Sequence, residues 1–368
     1  MARKLKSDKV LFMATLLLVF ASVVMVFSAS AYINAFRYEE PHRLLVKQAL
    51  WAALGVALLG IVMRIDYRVW RHPVLIMSAL GVAGIALVAV LFSTPINGTR
   101  RWFGVGGFGI QPSELAKLTA VFFVAALLER RMSRVNDPKE VLLPIGGVIG
   151  AMTLLILLEP DFGTSVCLLA TVGLMVFAAG FNVRYIALTA AVLVPPAFLL
   201  VWMSDYRWKR LTAFLCPECD PLGSGFQLLQ SLIAVGTGGI AGRGLMGGIQ
   251  KMFYLPEPHT DFIFAVIAEE VGLIGTTLTL LAFVVITWRG LKVAGRAPDQ
   301  FGSFLALGLT AMVAVQAFVN LSVVLGLMPT KGITLPFVSA GGSSLLINLV
   351  SMGILLNVSQ HSSAVHEA

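Results

Sequence analysis

Apolar runs long enough to cross a bilayer recur along the whole chain, and they restrict the fold more than any other feature. A membrane-spanning α-helix needs about 20 predominantly apolar residues to cover roughly 30 Å of hydrocarbon. Such runs lie at about 10–33, 45–63, 74–93, 115–129, 142–158, 163–181, 185–203, 262–287, 303–327 and 334–357, the fourth and fifth being short or interrupted. With 58% hydrophobic and only 12% charged residues among 368, a soluble globular domain is excluded. The expected fold is all-α: one polytopic integral membrane domain over 1–368 with about ten transmembrane helices. No Walker motif, CxxCH haem site or matched pair of broken transporter helices is found, and no nucleic-acid partner is expected.

The first run ends in "SASA", which faintly resembles a signal-peptidase site, but it is too long for a signal h-region. An uncleaved first helix is expected. Orientation follows from Lys and Arg in the short loops, which are retained on the cytoplasmic side. Arg3, Lys4, Lys6 and Lys9, then Arg64, Arg68 and Arg71, then Arg130, Arg131, Arg134 and Lys139, then Arg289, Lys292 and Arg296 all fall on one side if the N-terminus is inside. Both termini are therefore expected in the cytoplasm, the protein being multi-pass in the cytoplasmic membrane. The long loop at about 204–261, between the seventh and eighth spans, is expected outside.

Ionisable residues at or within a membrane are costly, so each is a functional candidate by default. Asp261 stands where the chain enters the eighth span; it is either an ordinary residue at a helix N-terminus or a chemical group. Glu114 and Lys117, three apart, fit an ion pair lining a cavity. Glu159 and Asp161 bracket Pro160 in a short outer turn; they are turn residues, or two carboxylates in one cavity able to hold a divalent cation, magnesium or manganese. Glu269 and Glu270 point to different parts of a helix circumference and read as buried, paired structural groups. Gly242, Gly244 and Gly247 have GxGxxG spacing, but no strand precedes them, so a dinucleotide site is rejected in favour of tight turns packed on the helices. Cys216 and Cys219 are a local disulfide or free thiols. His259 donates to a substrate or caps its loop. Asn97 and Thr99 form a sequon read as chance.

Outside the membrane no nucleotide energy is available, so an enzyme there needs an already activated substrate, most simply a lipid-linked diphosphate. Arg100, Arg101, Arg207, Lys209, Arg210, Arg243 and Lys251 would suit one by charge-assisted contacts.

Five stretches, in order, carry a resemblance: "RRWFGVGGFGIQPSELAKL", "EPDFGTS", "DPLGSGFQLLQSLIAVGTGGIAGRGL", "YLPEPHTDFIFAVIAEEVGLIG" and "PTKGITLPFVSAGGSS". Together the chain resembles the SEDS family of shape, elongation, division and sporulation proteins, and its "LMPTKGITLPF" is more similar to the division-type branch than to the elongation-type branch. The resemblance implies ten helices and a peptidoglycan glycosyltransferase that polymerises lipid II beside a class B penicillin-binding protein and other division proteins. It makes Asp261 the essential acid, the candidate general base of an inverting reaction, and Glu114 and Lys117 the cavity pair. Arg101, Asp161 and Lys331 match further motif positions, and Arg243 and His259 are added as candidate substrate contacts. Ala340 stands where the family usually has Tyr, and "CPEC" replaces a stretch normally free of cysteine. A lipid II flippase, using the Glu114 and Lys117 cavity as its path, and a scaffold for division proteins are the competing readings.

Overall fold

A computed structural model describes residues 7–95, 99–105 and 108–366. Arg3, Lys4 and Lys6 of the orientation argument and Asn97 of the sequon lie outside the described residues. Twelve α-helices are seen among the described residues: α1 (Lys9–Tyr38), α2 (Arg43–Val62), α3 (Pro73–Val90), α4 (Pro112–Arg131), α5 (Pro138–Leu158), α6 (Phe162–Ala178), α7 (Val183–Trp202), α8 (Asp205–Leu215), α9 (Phe226–Thr237), α10 (Ile263–Gly295), α11 (Gln300–Val324) and α12 (Gly342–His366). A two-stranded hairpin, β1 (Phe103–Val105) and β2 (Phe108–Ile110), precedes α4.

The helix starts are written in the sequence. Asp8, Asp137, Asp161, Asn182 and Asp299 each accept a bond from a first-turn N–H, which satisfies a donor the helix itself cannot pair. Pro73, Pro112 and Pro138 occupy first-turn positions, where a missing N–H costs nothing.

Each of the ten apolar runs falls on a helix. Eight of these helices are long and apolar enough to cross a membrane. The other two are α6, at 17 residues, and α4, whose run is interrupted by charge. The low apolarity of α4 has a physical cause. It packs against α3, α6 and α11, so its polar groups meet protein rather than lipid. Lipid-facing helices contrast with it: no residue of α7 is buried.

Two boundaries differ from the sequence expectation. The last run was expected to be helical from 334, yet the helix begins at Gly342, and 329–341 is a non-helical segment tucked into the bundle. Such backbone is tolerated at membrane depth only where protein satisfies it. Gln316 and Asn320 of α11 do this, donating to the carbonyls of Thr334 at 3.0 Å and Ile333 at 2.6 Å. Hydropathy registers burial without distinguishing coil from helix.

The long loop is also more ordered than a loop. It holds α8 and α9, and its glycine-rich part is bonded to α10. Gly272 breaks that helix with φ 69° and ψ −160°. The carbonyls of Glu269 and Glu270 accept from the N–H groups of Arg243 (3.0 Å) and Gly244 (2.9 Å), and Leu273 donates back to Gly239 at 2.9 Å. Gly242, at φ 76°, lies so close that a Cβ would stand 2.2 Å from the Glu270 carbonyl oxygen. The glycines therefore serve backbone packing, as expected. Glu269 and Glu270 are both buried. Glu270 takes Lys251 Nζ at 2.5 Å, Ser28 Oγ and Met246 N, while Glu269 takes the N–H groups of Ile249 and Gln250.

Candidate functional site

A cavity of about 580 Å³ opens where the first turns of α4 and α6, the middle of α11, the approach to α10 and the coil before α12 converge. Its walls include Arg101, Glu114, Lys117, Arg210, Asp261 and Gln316. These residues come from distant parts of the chain, and the fold alone assembles them.

At the inner end, Lys117 Nζ lies 2.9 Å from Glu114 Oε1 and donates to Gln316 Oε1 at 2.5 Å. All three are buried. Gln316 passes the chain of bonds to Thr334. Pairing makes each charge tolerable at low dielectric.

Asp261 lies on the wall. The helix-capping reading fails here: α10 begins at Ile263, its N-cap is Phe262, and there is no side-chain cap bond. The backbone carbonyl of Asp261 is held by Asn320 Nδ2 at 2.9 Å, whereas its carboxylate accepts no hydrogen bond among the described residues. Gly332 faces it, so close that a Cβ there would sit 2.8 Å from Oδ2. Burial pushes the Asp261 carboxyl up to about 7; Glu257 adds to the rise, and Arg210 and Arg101 oppose it.

Arg101 is clamped to the turn between α5 and α6. Its Nε and Nη2 donate to the carbonyls of Glu159 (3.0 Å) and Pro160 (2.5 Å), and Nη1 stands 3.9 Å from Asp161 Oδ1. Asp161 caps α6 through Thr164 N and also accepts from Thr164 Oγ1 and Gln111 Nε2. A second cavity of about 360 Å³ adjoins this turn, lined by Asp161, Arg101, Arg207, Arg210 and Lys331 on one side and by Val194, Phe198 and Val201 of α7 on the other. Lys331 Nζ stands 4.1 Å from the centre of the Phe162 ring. Burial pushes the Lys331 ammonium down to about 8.

Three expectations need correction. Glu159 does not share a cavity with Asp161: it is fully buried, both carboxylate oxygens lack partners among the described residues, and burial pushes it up to about 8. No three His, Cys, Asp or Glu side chains converge as a metal-holding set among the described residues. With Asp161 already bonded to Thr164 and Gln111, the donors at this turn do not fit a resident divalent ion. Arg243 does not reach the cavity either; its Nη1 lies 3.5 Å from Glu269 Oε1, and it belongs to the loop fastening.

His259 lines neither cavity. Its carbonyl accepts from Ala340 N at 2.9 Å, its Nε2 is 3.8 Å from Glu257 Oε2, and burial pushes its imidazole below the usual value. Ala340 itself does line the cavity. Cys216 and Cys219 form a disulfide between α8 and α9. Sequence reading missed Gln316, Glu257 and Gly332. Gln316 and Asn320 carried a signal nonetheless, as amides inside an otherwise apolar run.

The family model described as cell cycle protein, covering FtsW, RodA and SpoVE, matches residues 8–364. Among curated proteins, the chain is 42% identical to stage V sporulation protein E of Bacillus subtilis (strain 168) over 98% of this chain and 99% of that one. It is 41% identical to "Probable peptidoglycan glycosyltransferase FtsW" of Geobacter sp. (strain M18), over 96% of both. Among solved structures, it matches a chain from "Structural coordination of polymerization and crosslinking by a peptidoglycan synthase complex" with TM-score 0.80 and 31% identity, over 97% of this chain and 99% of that one. It also matches the Rod shape determining protein RodA of Thermus thermophilus with TM-score 0.71 and 28% identity, over 97% of both. With whole-length likeness in sequence and fold, the chain belongs to the SEDS family of FtsW, RodA and SpoVE.

Proposed function

We propose that the protein is a peptidoglycan glycosyltransferase that polymerises lipid II into β-1,4 glycan strands at the outer face of the cytoplasmic membrane during division. The observation that carries this reading is the Asp261 carboxylate, which accepts no hydrogen bond among the described residues, lies on the wall of a polar cavity and is pushed up to about 7 by burial. A general base works best with a pKa near the operating pH. Asp261 takes the proton of an acceptor 4-hydroxyl as that oxygen attacks the anomeric carbon of the donor. The bond from that carbon to the diphosphate oxygen breaks, and its electron pair leaves with undecaprenyl diphosphate. An α-linked donor and a β-linked product require a single inverting displacement, so no covalent sugar-enzyme intermediate forms.

Arg101, Arg207, Arg210 and Lys331 are suited to hold the diphosphate in the second cavity, with the apolar side of α7 beside it for the prenyl chain. Glu114, Lys117 and Asp161 fix the shape of the sugar pocket, and His259 holds Ala340 in place through its carbonyl. No step is routed through a metal ion. The Lys and Arg of the short loops support cytoplasmic termini, an orientation that would set the Asp261 cavity outside. A class B penicillin-binding protein and other division proteins are the proposed partners; the relative of known structure that works in a synthase complex supports the former. Near-equal identities to a sporulation protein and to FtsW proteins support the shared chemistry, while the division role rests on the Thr330 and Lys331 pair.

A flippase would need a path through the bundle. Below Lys117 and Gln316 the centre is filled, with Gly308 of α11 packed against Val121 of α4 and Met175 of α6. Vesicles reconstituted with lipid II separate the readings. Glycan strands made from lipid II on the cavity side are the expected result; headgroup transfer across the bilayer without polymer would overturn it.

A further inference from the structure

At the membrane face opposite the Asp261 cavity lies a separate pocket of about 260 Å³, between the start of α1, the end of α10 and the end of α12. Lys9, Arg289, Lys292 and Arg296 line it, with the hydroxyls of Ser359 and Ser362 and the single carboxylate of Asp8. Asp8 is committed: Arg289 grips one of its oxygens through Nε at 2.7 Å and Nη2 at 2.6 Å, and its other oxygen caps α1. That leaves Lys9, Lys292 and Arg296 with no acidic partner among the described residues, and the pocket with a net charge of +3. The glycosyl-transfer scheme uses none of these groups.

The depth of the pocket argues for its occupant. Trp288, exposed one turn before Lys292, has Arg289 and Lys292 each 5.7 Å from its ring centre. Tryptophan gathers at the headgroup level of a bilayer, so this ring marks the pocket as lying at that level. Exposed apolar stripes continue from it toward the membrane centre, through Val10, Met13 and Leu17 on α1 and through Leu281 and Val284 on α10. Cations at headgroup depth, opening onto apolar helix surface, suit a phosphate that carries acyl chains. Basic pockets between helices on the cytoplasmic side hold anionic lipid headgroups on the same principle.

We propose that this pocket is a binding site for an anionic phospholipid, its phosphodiester held by Lys9, Lys292 and Arg296 and its acyl chains lying along α1 and α10. Purified full-length protein would be examined by native mass spectrometry after incubation with dioleoylphosphatidylglycerol or dioleoylphosphatidylcholine. The expected result is preferential retention of the anionic lipid, weakened about fivefold for each charge removed and abolished in a Lys9→Gln, Lys292→Gln, Arg296→Gln variant that still polymerises lipid II. Equal retention of the two lipids by the wild type, or undiminished retention by the triple variant, would overturn the site. Millimolar inorganic phosphate is expected not to displace the lipid; displacement by phosphate alone would make this a free-anion site and sink the lipid assignment. Should the triple variant not fold, Arg296→Glu carries the same test, with selective loss of phosphatidylglycerol expected and unchanged retention contradicting the site.

Discussion

At the residue scale the proposed chemistry turns on a single carboxylate and the glycine opposite it. Because burial raises the Asp261 pKa to about 7, the base form is lost as pH falls through that value. The rate of polymerisation is expected to rise with a midpoint near pH 7 and to flatten above it; a rate independent of pH between 5 and 8 would exclude Asp261 as the base. The linkage has a definite sign. A carboxyl whose folded pKa is raised contributes stability below its unfolded value of about 4, and loses it as pH rises through the folded value near 7. Asp261→Asn should therefore melt no lower than wild type at pH 8 while losing activity. Gly332→Ala tests placement: its methyl would press on Oδ2 of Asp261. Turnover is expected to fall about tenfold or more without loss of fold, since catalysis depends steeply on alignment; unchanged turnover would show that the carboxylate is not held there. Asp261 was singled out because it stands in a recognisable motif, and the fold sets it on the cavity wall. Gly332 was not, since only the folded chain brings the coil before α12 against it.

Elements show where pattern reading stops. Helix starts were legible because capping is local, and the ten runs were legible because lipid demands length and apolarity. The break in α10 at Gly272 was not, because the freed carbonyls of Glu269 and Glu270 are satisfied by the N–H groups of Arg243 and Gly244, 26 residues earlier. Adjacent acids in an apolar run, Glu269 and Glu270, were read as structural, and the fold gives them partners that sequence distance hid. Removing one partner should be costly. Lys251→Met would leave Glu270 buried with Ser28 and one backbone N–H as partners, a change expected to cost about 3–5 kcal/mol. Thermal unfolding in detergent checks this, and adding Glu270→Gln should restore part of the loss. Gly242→Ala would force a side chain against the Glu270 carbonyl at positive φ and is expected to destabilise by at least about 1–3 kcal/mol; a melting curve identical to wild type would contradict the packing described.

The whole molecule separates its tasks by depth. One end of the bundle gathers the polar cavity, the second cavity and the fastened long loop; the middle is filled; the other end carries the basic pocket. Composition and the runs made the membrane architecture legible, and the ordered motifs made the family legible. The proposed diphosphate site was only half legible: Arg101, Arg207, Arg210 and Lys331 meet at one turn, while Arg243 and Lys251, equally basic, are spent on Glu269 and Glu270. Charge alone could not sort them, because sorting requires knowing which acids the fold buries beside them. Arg210→Ala, removing a cation that lines both cavities, is expected to lower turnover by about tenfold to a hundredfold, as loss of a charge-stabilising contact does. The central claim is that Asp261 is the base for glycan polymerisation. It is tested most directly by supplying lipid II to the purified protein, with a class B penicillin-binding partner present, and comparing wild type with a folded Asp261→Asn variant. The account predicts glycan strands from the wild type and a loss of at least about a hundredfold in the variant; undiminished polymerisation by the variant would contradict it.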